Sequence, residues 1–300
     1  MNKIKQMKTR RSPAGTVCRP STLKLPIYWI DAFTHRVGQG NPAAVVPLEH
    51  WIEDAVMQRI AFENGLSETA FLVRTGEARY HLRWFTPTVE VDLCGHATLA
   101  SGFLLLQEFG LSAKAITFDS RSGPLVVTRR ADGRIELDFP SRPTIGATEP
   151  SDVLVRGLGR APKSVLSAPG RWLCVYAKAG DVSGLRPDHG LLAQVQPGRI
   201  IVTAPGDGDC DFVSRCFAPD AGIPEDPVTG SAHCTLLPYW AAQLGRNSLH
   251  ARQVSARRGE LWCALDGQRV KIAGQAVLYL RGEITVPNGE PTKKPAANRK

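Results

Sequence analysis

The chain has 300 residues, 43% of them hydrophobic and 22% charged, with 28 Gly and 22 Pro. That composition suits one large globular domain or two ordinary ones and excludes a fibrous, collagen-like or wholly disordered chain. The net charge of +9 sits at the ends: residues 1–24 hold seven Lys or Arg and no acid, residues 288–300 hold four against Glu290, and the rest holds 26 basic and 27 acidic residues. Both ends are expected to be disordered basic extensions, and a folded nucleic-acid surface is not expected.

No run approaches the roughly 18 to 20 apolar residues that a membrane helix needs. The N-terminus leads into Ser12-Pro13-Ala14-Gly15 rather than an apolar signal core, so the expected compartment is the cytoplasm. Seven scattered cysteines without a Cys-x-x-Cys pair are read as reduced.

From Leu25 the chain alternates short apolar runs with turns. Strands are predicted at 26–33, 43–48, 69–73, 80–85, 115–118, 124–128 and 134–139, from their length, their β-branched and aromatic residues, and the Gly, Asp and Pro between them. Helices are predicted over about 52–63 and from near His96 to near Gly110. A Pro/Gly-rich stretch at 140–163 separates this half, residues 25–142, from a second at 143–287. There, strands are predicted at 173–177, 200–204, 212–217, 261–265, 269–273 and 276–286, with a helix from Ser231 to Leu244. The last strand is expected to be able to pack back on the first half.

The halves repeat one another. Phe85-Thr86-Pro87 recurs as Phe217-Ala218-Pro219, and each is followed by an acidic turn and a helix apolar nearly all round. Setting Asp92 against Asp226 aligns the acidic segments. Helices of that kind belong inside a domain, so two pseudo-equivalent β-rich domains, each wrapping a sheet around one helix, are expected.

Each helix starts beyond a glycine turn, at Cys94-Gly95-His96 and at Thr229-Gly230-Ser231. A helix start offers unpaired N–H groups and partial positive charge, and glycine lets a ligand approach the backbone; two such starts across a cleft suit a carboxylate. Taken singly, Gly95 and Gly230 could serve only their turns, His96 could be a structural histidine, and Asp226 could be a turn aspartate. Glu68, in Leu66-Ser67-Glu68-Thr69, lies against an apolar flank that could raise its pKa into the range useful for proton transfer.

Other constellations fail on spacing. Ser231 and His233 point apart on one helix. Asp207, Asp209 and Asp211 imitate a calcium loop, but Phe212 and Ala218 stand where Gly and Glu are required. There is no phosphate-binding glycine loop, and no Cys/His set has zinc spacing.

These segments together resemble the PhzF family of phenazine-biosynthesis-like isomerases. The likeness is carried by Asp31-Ala32-Phe33 with Gly40-Asn41-Pro42, Leu66-Ser67-Glu68-Thr69, Phe85-Thr86-Pro87 with Glu90, Gly95-His96, and Glu225-Asp226-Pro227-Val228-Thr229-Gly230-Ser231-Ala232, in the family's order over residues 25 to 286. It implies an α+β, diaminopimelate-epimerase-like fold of two pseudo-symmetric β-barrel-like domains, each around a central helix. It also implies a homodimer that needs no metal or cofactor. By residue match Glu68 would shuttle the proton with His96, Asp226 and Ser231 assisting, while Asn41, Gly95, Thr229 and Gly230 would hold a small carboxylic-acid substrate similar to dihydrohydroxyanthranilate.

Two rivals stand beside it. Racemases of the same fold use two opposed thiols, of which Cys94 matches the first and Val228 stands at the second. The other rival is a non-catalytic binding protein on the same fold.

Overall fold

The computed structural model describes residues 22–287. The readings of residues 1–21 and of the 288–300 tail therefore lie outside the described residues. Among the described residues no helix is long and apolar enough to cross a membrane.

The first half runs β1 (Thr22–Ala32), β2 (Asn41–Leu48), α1 (Asp54–Asn64), β3 (Glu68–Arg74), β4 (Arg79–Phe85), β5 (Glu90–Val91), α2 (Gly95–Phe103), β6 (Ala115–Ser120), β7 (Gly123–Arg129) and β8 (Ile135–Pro140). The second runs β9 (Gly146–Thr148), α3 (Asp152–Leu158), β10 (Ser164–Ala168), β11 (Arg171–Val175), α4 (Ala179–Ser183), α5 (His189–Leu192), β12 (Ile200–Pro205), β13 (Phe212–Ala218), β14 (Ile223–Asp226), α6 (Gly230–Leu244), β15 (Ser248–Gln253), β16 (Gly259–Asp266), β17 (Arg269–Gly274) and β18 (Ala276–Pro287).

The pairing is palindromic. In the first half β1–β2 is antiparallel, β2–β3 parallel, β3–β4 antiparallel, β4–β6 parallel, and β6–β7 and β7–β8 antiparallel. In the second half β10–β11, β11–β12, β12–β13, β13–β15, β15–β16 and β16–β17 repeat that sequence. Antiparallel β8–β17 joins the halves at the centre. Each parallel pair needs a crossover, and the crossovers carry the helices: α2 bridges β4 to β6 and α6 bridges β13 to β15. The chain also trades strands at its seams, since β9 continues from β8 to pair with β10 and β18 continues from β17 to pair with β1. This is the α+β, epimerase-like architecture of paired halves around two helices.

β1 starts at Thr22, four residues before the strand predicted at 26–33, because β18 reaches Pro287 opposite it. Lys24, assigned to the basic extension, pairs with Glu283 at 2.8 Å. The 140–163 stretch, read only as Pro/Gly-rich, contains β9 and α3. Ser151 caps α3 by accepting from the Leu154 N–H, and Leu154 and Leu158 anchor it in the core.

Both central helices are enclosed. Every α2 residue from His96 to Phe103 is buried, and a methyl group on Gly102 would meet Val127 Cγ1 at 2.6 Å, so strand and helix touch there. α2 runs into a π-helical turn, Leu104–Glu108, before Gly110 takes a left-handed φ of 63°. α6 crosses Pro238, which has no N–H to give the Cys234 carbonyl. The backbone N–H of Arg142 fills that acceptor at 2.8 Å and pins the β8–β9 connection to the helix.

Candidate active site

The two helix starts meet. A methyl group built on Gly95 would lie 3.7 Å from the Gly230 Cα, and one on Gly230 would lie 3.8 Å from the Gly95 Cα. Phe33 lies alongside in a left-handed backbone conformation, φ 63°, with its ring edge 3.7 Å from a methyl on Gly230. Over this junction opens a cleft of about 220 Å³ between the halves. Of the eight residues singled out from sequence, Glu68, Gly95, His96, Asp226, Thr229, Gly230 and Ser231 line it. Asn41 lies behind, fully buried.

Asn41 stitches the halves together. From the start of β2 its Nδ2 donates to Asp226 Oδ1 at 2.8 Å and to the Val228 carbonyl at 3.0 Å, and it lies 3.1 Å from His96 Nδ1. Two carbonyl-type acceptors on one side fix the amide orientation. Thr229 Oγ1 donates to Asp226 Oδ2 at 2.5 Å, and Gln253 bridges the Thr229 N–H and the Asp226 carbonyl. Burial raises the Asp226 carboxyl to about 6, while the Thr229 and Asn41 hydrogen bonds and Arg199 hold it down.

Burial pushes His96 down to about 3, so the ring is neutral near pH 7. Its Nδ1 lies beside the Asn41 Nδ2, which has no lone pair to accept an N–H, and 3.5 Å from the Cys94 thiol. The proton is accordingly assigned to Nε2. That atom lies 3.2 Å from Glu68 Oε2, out of line for a hydrogen bond, and leaves the buried Oε2 without a hydrogen-bond partner among the described residues.

Glu68 opens β3 just after the left-handed Gly65 that ends α1. Its side chain is 14% exposed. Burial, and then the Asp226 charge, raise its pKa to about 8, against smaller lowering by the Cys94 thiol and Arg199. Cys94 is raised well above its ordinary value, first by burial and next by Glu68. A carboxylic acid with a titration midpoint near neutrality, facing an open cleft and a neutral imidazole, can both give and take a proton.

Ser231 lies half-buried on the cleft wall, where its carbonyl accepts from Arg171 at 2.8 Å; the helix cap is Thr229.

The repeat register is one residue away from the sequence alignment. Glu90 and Glu225 occupy equivalent sheet positions, and each forms a bidentate pair with an equivalent arginine, Arg83 or Arg215. Val91, not Asp92, therefore matches Asp226, and Thr229, not Val228, matches Cys94 as the residue before the helix. The cause is the 3₁₀ turn Pro219–Ala221, which lengthens the second half between Phe217 and Glu225 by three residues. Asp92 lies outside the cleft lining, and its carbonyl accepts from Ser122.

Sequence spacing did not find three features of the site. Glu68, Cys94 and His96 bring ligand atoms within 4.8 Å of one another, a possible metal set hidden because Glu68 comes from a separate strand. Its carboxyl and thiol both hold protons near neutral pH, which a metal would have to displace. Arg142 and Arg199 also line the cleft. Thr69 and Ile200 pair with Phe85 and Phe217 at equivalent register, so Arg199 is the repeat counterpart of Glu68. The Phe-x-Pro alignment extended back without a gap sets Glu68 against Ile200, so only the sheet register identifies Arg199.

A family model described as phenazine biosynthesis-like protein matches residues 30–282. The chain is 49% identical over 267 residues to an uncharacterized isomerase of Pseudomonas aeruginosa, covering 87% of this chain and 99% of the relative. A crystal structure of a PhzF-family protein from Enterococcus faecalis matches with a TM-score of 0.84 and 43% identity over 87% of this chain and 99% of that one. A hydroxyproline epimerase from Agrobacterium vitis is similar in fold alone, with a TM-score of 0.55 at 11% identity over 89% of this chain and 93% of that one.

Proposed function

Because this chain belongs to the phenazine biosynthesis-like family, whose relatives include proteins named isomerases, we propose that it moves a proton between carbons of a small amino- or hydroxy-carboxylic acid. Glu68 serves as general acid and base, and no metal or cofactor takes part. A homodimer and a dihydrohydroxyanthranilate-like substrate belong to the same proposal.

The observation that carries it is the setting of Glu68: a nearly buried carboxyl, raised to about 8, with an unpartnered oxygen beside His96 Nε2. The paired starts at Gly95 and Gly230 offer N–H groups to the substrate carboxylate, with Thr229 and Asn41 fixing the backbone around them. Asp226, held by Asn41 and Thr229, is placed to meet an amine or hydroxyl. Ser231 supplies a hydroxyl at the same wall, and the neutral His96 an N–H toward the reacting carbon.

A two-thiol route has less support, since Thr229 stands where the second thiol would be and burial keeps Cys94 protonated.

The test is proton NMR in D₂O of dihydroaromatic, amino- and hydroxy-acid carboxylates, with wild type beside Glu68→Gln. The proposal expects deuterium uptake or double-bond migration in at least one compound, lost in the variant. Equal exchange by the variant would overturn the role of Glu68, and silence across the panel would favour a binding role.

A further inference from the structure

Three arginines on the second-half side of the cleft stand out of salt-bridge contact with its acids, although the charge of Arg199 is felt by Glu68 and Asp226. Arg142 and Arg199 line the cleft. Behind them Arg171, 6% exposed, donates Nη1 to the Ser231 carbonyl, while its Nε has no hydrogen-bond partner among the described residues. Within 4.0 Å, and among the described residues, none of the three meets a carboxylate, whereas Arg83, Arg215 and Arg257 each do.

Two of the three are fastened to the start of α6, where the helix's partial positive charge opposes a cation. Arg171 holds the Ser231 carbonyl, and the Arg142 backbone holds the Cys234 carbonyl freed by Pro238. The mutual repulsion is felt: burial first, then Arg142 and Arg199, lower the Arg171 pKa. Cations gathered at a helix start with no carboxylate in salt-bridge contact mark a place for an anion.

In the function proposed above the helix-start junction takes one carboxylate of the substrate, and Arg142 and Arg199 line the same cleft. We propose that Arg142 and Arg199, backed by Arg171, bind a second anionic group, so that the acid handled in this cleft is a dianion, either a dicarboxylate or a phosphorylated carboxylic acid. The proposal rests on the cleft being the substrate site described above and names the class of substrate.

The test is isothermal titration of the full chain with glutarate, 3-phosphoglycerate and, as the monoanion, butyrate. Wild type, Arg142→Gln, Arg199→Gln and Glu68→Gln are compared. Arg171 is left alone, because its burial would confound binding with folding.

At least one dianion should bind on the order of tenfold tighter than butyrate. Either arginine variant should remove most of that gap, and Glu68→Gln should keep it. Preference for glutarate would identify a dicarboxylate, and preference for 3-phosphoglycerate a phosphorylated acid. Butyrate binding as tightly as both, a preference unchanged in both arginine variants, or no dianion binding at millimolar concentration would each overturn the proposal. Arg-dependent dianion binding combined with exchange that ignores Glu68→Gln would instead overturn the proton-transfer role and leave this site standing.

Discussion

Glu68 is nearly buried and keeps an oxygen without a hydrogen bond, an arrangement costly for a structural carboxylate and useful for a proton carrier. General acid-base catalysis is worth about 10² to 10⁴ in rate, so Glu68→Gln should lose activity on that order while far-UV circular dichroism stays native. Stability should move the opposite way with pH. The folded carboxyl, near 8, binds a proton that the unfolded one, near its ordinary 4.5, has released. The stability held below about 4.5 is therefore lost as pH rises through 8. Glu68→Gln should consequently unfold at higher urea than wild type at pH 9, and the difference should vanish by pH 4; a constant difference across that range would contradict the burial argument. Glu68 and its neighbours were legible through short motifs. The pKa directions were less so, because they depend on Asp226, Cys94 and Arg199, which folding brings from distant parts of the chain.

At the scale of elements, the site is a meeting of helix starts, and its glycines are unequal. A methyl on Gly95 meets only ordinary contacts at 3.7 Å or more, whereas one on Gly259 would lie 2.4 Å from Val228 Cγ2 and 3.1 Å from the Phe33 carbonyl oxygen. Gly259→Ala should therefore cost about 1–3 kcal/mol in a denaturant melt. Gly95→Ala should melt close to wild type yet raise KM by narrowing the approach to the helix N–H groups. A Gly95→Ala protein with unchanged KM would remove the carboxylate from that junction. Long elements with a clear period were readable, including α6 across its internal proline, because nine of its residues are buried. Short ones were not. α4 and α5 have five and four residues, too few to show a period. β15 buries Leu249, Ala251 and Gln253, a core face too weakly apolar to stand out.

For the whole molecule, the duplication is what made the fold readable, since a repeat of Phe-x-Pro, acidic turn and apolar helix dictates two like halves. The one-residue slip in that alignment shows its limit: sheet register, and not motif likeness, decides that Thr229 answers Cys94. The strand exchange has a mechanical consequence. β18 comes last in the chain yet covers the edge of β1 in the first half, over the whole length Thr22–Ala32. A chain ending at Gln275 would leave that edge bare and expose Ile27 and Leu25. It should give no cooperative thermal melt and should aggregate, whereas a melt like that of the full chain would mean that the first half closes without its last strand.

The central claim is that one carboxyl in the cleft titrates where it can act as both acid and base. Labelling glutamate side-chain carboxyls with carbon-13 and following their shifts from pH 4 to 10, with Glu68→Gln identifying the resonance, measures this without knowing the substrate. The account predicts a midpoint near 8 for Glu68, moving down in Asp226→Asn because the neighbouring negative charge is gone. A midpoint near the ordinary 4.5, unmoved in Asp226→Asn, would contradict it.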